Sequence, residues 1–102
     1  MIYSEFKEFL ETNATGYSTF IDKATIYQTE KNKARQPKKR WTEKKIDRAV
    51  NEMWKQVTQN AYEQVKSSRK AVKAGMQSWK SFMNEIGFLE SFNDGIAELE
   101  LE

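Results

Sequence analysis

The residues of this chain that are most indicative of a binding function are basic, and they are concentrated in one stretch. Nine of the seventeen Lys and Arg residues lie between positions 31 and 48. They are Lys31, Lys33, Arg35, Lys38, Lys39, Arg40, Lys44, Lys45 and Arg48. Cations at this density neutralise phosphate groups, and the counterions released on binding make the affinity fall steeply with salt. Trp41 and Tyr27 would add stacking on the bases of a single strand.

The charges of the remaining chain are arranged around this basic stretch and offer a second interpretation of it. Residues 1–30 hold five acids against two bases, residues 49–83 hold six bases against two acids, and residues 84–102 hold six acids and no base. The basic stretch could therefore pair with the acidic ends of its own chain or of a neighbouring copy, or simply face solvent. Lys44 and Lys45 favour this interpretation, because the first turn of a helix disfavours cations by roughly a few tenths of a kcal/mol.

The residue types that are absent exclude several kinds of catalysis. The chain contains no His and no Cys. Zinc sites built from Cys and His, nucleophiles activated by His and the usual imidazole base are therefore impossible. The C-terminal acids do not have the spacing of a calcium loop, and the glycines form no phosphate-binding pattern. We predict that the protein is not an enzyme and uses no cofactor or metal.

The sequence also argues against a membrane partner. No apolar run approaches the roughly 20 residues that a membrane-spanning helix needs. Residues 1–9 carry acids and no hydrophobic signal segment, so the sequence predicts a cytoplasmic protein. A length of 102 residues predicts one domain over residues 1–102, and six Phe, four Tyr and three Trp offset an apolar share of only 38%.

The elements that must position these residues are predicted to be helices throughout. Apolar residues recur at helical spacing, which indicates an all-α domain of three to five helices. Short helices are expected near residues 4–12 and 18–34, with Gly16 ending the first and Pro37 limiting the second. Residues 31–41 form a basic connector in this interpretation. A final short helix is expected after Gly87, with residues 96–102 as a frayed tail.

Residues 42–86 form the dominant helical segment. Thr42 is a good N-cap, and Trp41 and Ile46 have the spacing of a hydrophobic staple. The apolar period continues to Ile86, with possible breaks at Ser67-Ser68 and Gly75. The pattern fits either one helix of about forty residues, about 60 Å long, or two helices packed antiparallel.

The apolar stripe of this segment has two interpretations, a core and a partner-binding surface. Its residues are Trp41, Ile46, Val50, Met53, Trp54, Val57, Met76, Trp79, Phe82 and Met83. Trp and Met are enriched at interfaces, but every one of these residues lies on the helical apolar face, which favours a core. The two interpretations merge in a dimer. The first functional prediction is therefore a non-catalytic protein–protein interaction module that forms a homo-oligomer or binds another protein. The alternative is a nucleic-acid-binding protein that uses residues 31–48.

Three short blocks carry a resemblance in style. They are Tyr27-Gln28-Thr29-Glu30-Lys31, Lys39-Arg40-Trp41-Thr42 and Phe88-Leu89-Glu90-Ser91-Phe92. With them the chain resembles small helical proteins encoded by tailed phages and mobile elements of low-GC bacteria. The resemblance implies host-factor binding, virion assembly or DNA handling, and it assigns a role to no residue.

Overall fold

The chain folds into helices along its length, as the apolar periods predict. The structure is a computed structural model that describes residues 1–72 and 77–101. Within these ranges there are five α-helices, a short 3-10 turn and no strand. They are α1 (Tyr3–Asn13), α2 (Gly16–Lys33), the turn Pro37–Lys39, α3 (Glu43–Ala71), α4 (Trp79–Glu85) and α5 (Phe88–Glu98). The predicted all-α class with one dominant helix is confirmed.

Helix α3 is the longest element, with 29 residues, and begins where its capping residues predict. The Thr42 hydroxyl accepts a hydrogen bond from the backbone N–H of Lys45 at 3.3 Å, which satisfies one of the unpaired donors of the first turn. Trp41 is half-buried and Ile46 is buried, in agreement with the staple spacing. Ser67 and Ser68 do not interrupt the helix, which continues to Ala71.

The structure distinguishes between the two arrangements predicted for residues 42–86. Helix α3 ends at Ala71, and a separate helix, α4, begins at Trp79. Ser78 caps α4 by accepting a hydrogen bond from the N–H of Ser81 at 3.1 Å. The segment therefore forms two helices and not one of forty residues. The predicted break at Gly75 and the predicted stripe residue Met76 lie outside the described residues.

The core lies where α1, α2 and α5 pack against the apolar face of α3. Trp54 is 1% exposed, and its ring lies 4.9 Å from that of Tyr17, 5.6 Å from Phe20 and 6.0 Å from Phe92 (centroid distances). Gln28 is also buried on α2 and donates to the sulfur of Met53 at 3.3 Å. This packing joins α2 and α3 into a helical hairpin, and the nine basic residues lie at its closed end.

The sequence suggested that Gly16 ends α1. In the structure Gly16 is instead the buried first residue of α2. Its backbone N–H donates to the Asn93 side-chain oxygen on α5 at 2.8 Å. A Cβ at this position would lie 3.0 Å from that oxygen and 3.3 Å from side-chain carbons of Phe92 and Ile96. The glycine is therefore required by the close approach of α2 and α5.

Replacing Gly16 with Ala should lower the free energy of unfolding by about 1–3 kcal/mol, because the added methyl group overpacks the contact with α5. Urea denaturation followed by circular dichroism measures the change. Gly95→Ala is the matched control, since a Cβ there meets nothing within 4 Å. In the middle of α5 it should stabilise by up to about 1 kcal/mol. Equal effects of the two substitutions would contradict the close approach at Gly16.

The C-terminal residues differ from the predicted frayed tail. Helix α5 runs without interruption to Glu98, and Ile96 is 6% exposed. The Lys23 Nζ donates to the carbonyl oxygens of Ile96, Ala97 and Leu99 at 3.0, 2.7 and 2.8 Å. These bonds satisfy carbonyls that a helix end leaves unpaired, and they place a cation at the negative end of the helix dipole.

Gly87 ends the preceding helix as predicted. It lies between α4 and α5 in the left-handed conformation, with a φ of 65°. Residues with a Cβ rarely adopt this conformation, so a glycine is favoured at this turn. The turn allows the short α4 to be followed directly by α5, which packs against α2.

Candidate nucleic-acid interface

The nine basic residues lie at the closed end of the α2–α3 hairpin, which we call the basic tip (residues 31–48). Lys31 and Lys33 belong to the last turn of α2, so the connector begins later than the predicted residue 31. Arg35, Lys38, Lys39 and Arg40 lie in the connector, and Lys44, Lys45 and Arg48 lie in the first turns of α3. The structure thus gathers cations from three consecutive elements into one region.

The backbone of the basic tip is fixed by Asn32, a residue that sequence analysis did not identify. Its side-chain oxygen accepts from the backbone N–H of Trp41 at 2.8 Å, and its amide nitrogen donates to the Trp41 carbonyl at 3.1 Å. Arg40 adds two longer bonds, to the carbonyls of Arg35 at 3.3 Å and Lys33 at 3.4 Å. These bonds tie the two ends of the connector together, so the cations sit on an ordered backbone.

The aromatic rings that were expected to stack on bases are accompanied by the chain's own cations. The Arg35 guanidinium carbon lies 3.9 Å from the centroid of the Trp41 ring, and the Lys45 Nζ lies 5.2 Å from it. Arg35 is also held by a 3.1 Å hydrogen bond to the Asn32 oxygen. The Lys31 Nζ lies 5.7 Å from the centroid of the Tyr27 ring. These cation–π contacts occupy ring faces that a base would need.

The charges of the basic tip face solvent. Eight of the nine cations are exposed, and Arg35 is half-buried. Within residues 1–72 and 77–101 the ion pairs are Lys7 with Glu11 and Lys33 with Glu30. In the Lys33–Glu30 pair the nitrogen and oxygen are 3.2 Å apart. This pair contributes little, because both side chains are about two-thirds exposed to solvent. In the described part of the chain, no acid of residues 84–101 forms an ion pair with the tip.

The described residues of the predicted apolar stripe lie inside this chain's own core or at its edge. Ile46, Val50, Trp54, Phe82 and Met83 are each at most 8% exposed. Trp41, Met53, Val57 and Trp79 are half-buried and pack against that core. The surface that was expected to meet a partner is thus largely covered by helices of the same chain. Self-association stays a prediction.

One apolar groove remains open on the side of α2. It has a volume of about 700 Å³ and is lined by Lys23, Ile26, Tyr27, Glu30, Lys31, Leu99 and Leu101. Ile26 is 64% exposed. The groove lies between α2 and the residues that follow α5.

The described residues provide neither a metal-binding cluster nor a membrane-spanning helix. No group of three or more acidic side chains is placed to hold a metal ion in the parts of the chain that the structure covers. None of the helices described above is both long enough and apolar enough to cross a membrane.

Comparison with known proteins adds no relative. No family model, no curated protein and no solved structure matches this chain. What the chain can bind therefore follows from the geometry of the basic tip and of the surface around it.

Proposed function

We propose that this chain is a non-catalytic nucleic-acid-binding protein whose basic tip contacts phosphate groups. One observation carries the proposal: nine cations meet at the end of one hairpin, eight of them exposed, and in the described part of the chain only Lys33 among them has an ion-pair partner. Residues 31–48 hold only two acids, Glu43 and Asp47, against these nine bases. This excess of positive charge attracts a polyanion over about a Debye length, which is about 8 Å at physiological salt.

The order of the tip supports the same function. Asn32 joins the two ends of the connector through both polar atoms of its side chain. Since this backbone is already ordered before binding, less conformational entropy is lost when phosphates are contacted. A flexible basic tail would have to lose that entropy on binding.

A salt titration tests the proposal. Binding of the whole chain to a fluorescent 30-base-pair DNA duplex is measured by anisotropy between 50 and 200 mM NaCl. If about six of the nine cations contact phosphates, the affinity should fall about 10³-fold over this range. An absence of binding at 50 mM salt, both to the duplex and to either of its single strands, would contradict the proposal. Binding that ignores salt would contradict the phosphate mechanism.

Self-association is the second candidate function, and the open groove beside α2 is the observation that favours it. Lys31 lines one side of this groove, and Glu98 and Glu100 adjoin Leu99 and Leu101 on the other. In a two-fold dimer every contact between the copies occurs twice, once in each direction. Lys31 of each copy could therefore face Glu98 or Glu100 of the other. Host-factor binding or virion assembly, the roles expected from the sequence, would also use such a surface.

Sedimentation velocity distinguishes the two candidates. Association through an apolar groove persists at 0.5 M salt, because burial of apolar area is insensitive to screening. Complexes held by the basic tip should dissociate as the salt concentration is raised to 0.5 M. A monomer that sediments with DNA only at low salt supports the proposed function, whereas a salt-resistant dimer that ignores DNA supports the second candidate.

A further inference from the structure

We infer that the nucleic acid bound by this chain is a double helix, and that it lies along α3 as well as against the basic tip. The inference rests on the proposed function and adds to it the class of nucleic acid and a longer binding surface. Two independent observations lead to it: the positions of the cations along α3, and the Arg35 guanidinium that lies over the Trp41 ring of the tip.

Five cations of α3 lie close to one line along the helix. They are Lys44, Arg48, Lys55, Lys66 and Lys70, separated by 4, 7, 11 and 4 residues. At 3.6 residues per turn these positions fall within an arc of roughly 80°, and they span about 39 Å along the helix axis. All five side chains are exposed. We call them the α3 basic line, and only its first two residues belong to the basic tip.

The neighbours of the α3 basic line make it narrow. Glu52 and Glu63 are exposed; at 3.6 residues per turn Glu52 falls on the edge of the arc, at the same angle as Lys70, and Glu63 falls about 20° beyond it. On the other flank α1 packs against α3, where the Tyr3 hydroxyl lies 2.7 Å from the Thr58 hydroxyl. A narrow row of cations, bordered by acidic side chains and by helix α1, can contact the edge of one rod-shaped polyanion. It fits a broad polyanion without a defined shape less well.

A double helix matches this line in straightness and in charge. Duplex DNA has a persistence length of about 150 base pairs, so it stays straight over about 39 Å, the length of roughly 11 base pairs. It carries one charge per about 1.7 Å of axis, twice the density of one strand. A flexible single strand would have to be ordered along the line, which costs entropy.

Stacking on Trp41, the aromatic residue of the tip, does not offset the entropy that a single strand loses when it is ordered along the line. Proteins that bind single strands gain roughly 1–3 kcal/mol from each base that stacks on an aromatic ring. Trp41 carries Arg35 at 3.9 Å from its ring centroid, and Asn32 holds that guanidinium in place. A base would have to displace Arg35 to stack there. The face of Trp41 that Arg35 covers is therefore not free to stack on a base.

The first test compares a 30-base-pair DNA duplex with each of its strands at the same salt concentration. The wild-type chain should bind the duplex at least about tenfold more tightly than either strand. Arg35→Gln should shift the two affinities in opposite directions, because it removes one cation and uncovers the Trp41 ring. Duplex binding should weaken and single-strand binding should strengthen, with new quenching of tryptophan fluorescence that Trp41→Phe abolishes.

The second test locates the α3 basic line with a matched pair of lysines. Lys66 on α3 and Lys80 on α4 are both exposed, and both ammonium groups lie over aromatic rings, at 6.0 Å from Tyr62 and 5.4 Å from Trp79. Lys66→Ala should reduce the slope of log affinity against log salt by about 0.9 for the duplex. Lys80→Ala should leave it unchanged.

The outcomes separate the inference from the function on which it rests. If neither duplex nor single strand binds at 50 mM salt, the proposed function fails. If single strands bind as tightly as the duplex and quench Trp41, the function stands and the double helix is wrong. Equal salt slopes for Lys66→Ala and the wild type would confine the contact to the basic tip and overturn the longer surface.

Discussion

Replacing Trp54 with Ala should lower the free energy of unfolding by about 3–5 kcal/mol, the usual effect of removing a large aromatic side chain from a core. Trp54 is 1% exposed and packs against rings from both α2 and α5. Its removal leaves a cavity at the point where these helices meet α3. Domains of this size have a total stability of only about 5–15 kcal/mol, so the loss should be large enough to shift the whole unfolding curve.

The polar end of the same ring makes a second, smaller contribution. The Trp54 indole N–H donates to the Glu11 carboxylate at 2.8 Å, and the Lys7 Nζ donates to the same oxygen at 2.7 Å. The hydrogen bond from Lys7 to Glu11 raises the pKa of Lys7 above its usual value. Trp54→Phe keeps most of the packing and removes the donor, so we expect a loss of about 1–2 kcal/mol.

Urea denaturation of the three proteins, followed by circular dichroism, measures both effects. The order of stability should be wild type, then Trp54→Phe, then Trp54→Ala. The control is Trp41→Ala, because Trp41 is half-buried at the hairpin tip and should matter less to the core. Unchanged stability in Trp54→Ala together with lost self-association would instead make Trp54 part of an interface, contrary to its position in the structure.

The start of α3 was predictable because its signals are local. A capping hydroxyl at Thr42 and an apolar pair at Trp41 and Ile46 lie within five residues of one another, and together they describe one helix terminus. The turn at Gly87 is similarly local, since it depends on one residue that adopts positive φ without strain. Features of this kind need no knowledge of what packs against them.

The roles of Gly16, Lys23 and Asn32 could not be predicted, because each depends on a contact made by the folded chain. Gly16 is required by α5, 77 residues away at Asn93. The carbonyls that Lys23 binds lie 73 to 76 residues further along the chain. Asn32 reaches Trp41 only because the connector turns back on itself. In the sequence each is an ordinary helix or loop residue.

The functional prediction was limited in the same way. Helical periodicity shows that one face of residues 46–65 is apolar, but not whether another copy or the chain's own helices cover it. The structure places α1, α2 and α5 there, so the apolar face is largely used within one chain. The density of basic residues was visible in the sequence, whereas the alignment of Lys55, Lys66 and Lys70 with the tip requires α3 to be one uninterrupted helix.

Replacing Lys38, Lys39 and Arg40 together with Ala should weaken binding to duplex DNA by about 10²- to 10³-fold at 0.1 M salt. Each phosphate contact contributes about 0.9 to the slope of log affinity against log salt, so three contacts contribute about 2.7. These residues are exposed on the connector and outside the core, so the free energy of unfolding should change little. The affinity and the slope are read from the same anisotropy titrations.

The control for this variant keeps the charges and changes the side chains. Lys38→Arg, Lys39→Arg and Arg40→Lys together preserve three cations, and an interaction set by charge should stay within a few-fold of the wild type. Arg40 also donates to two connector carbonyls at 3.3 and 3.4 Å, so this control shows whether losing those bonds matters by itself. Binding untouched in the Ala variant would exclude the connector and leave the α3 basic line as the contact. Equal losses in both variants would indicate that Arg40 acts through connector geometry and not through charge.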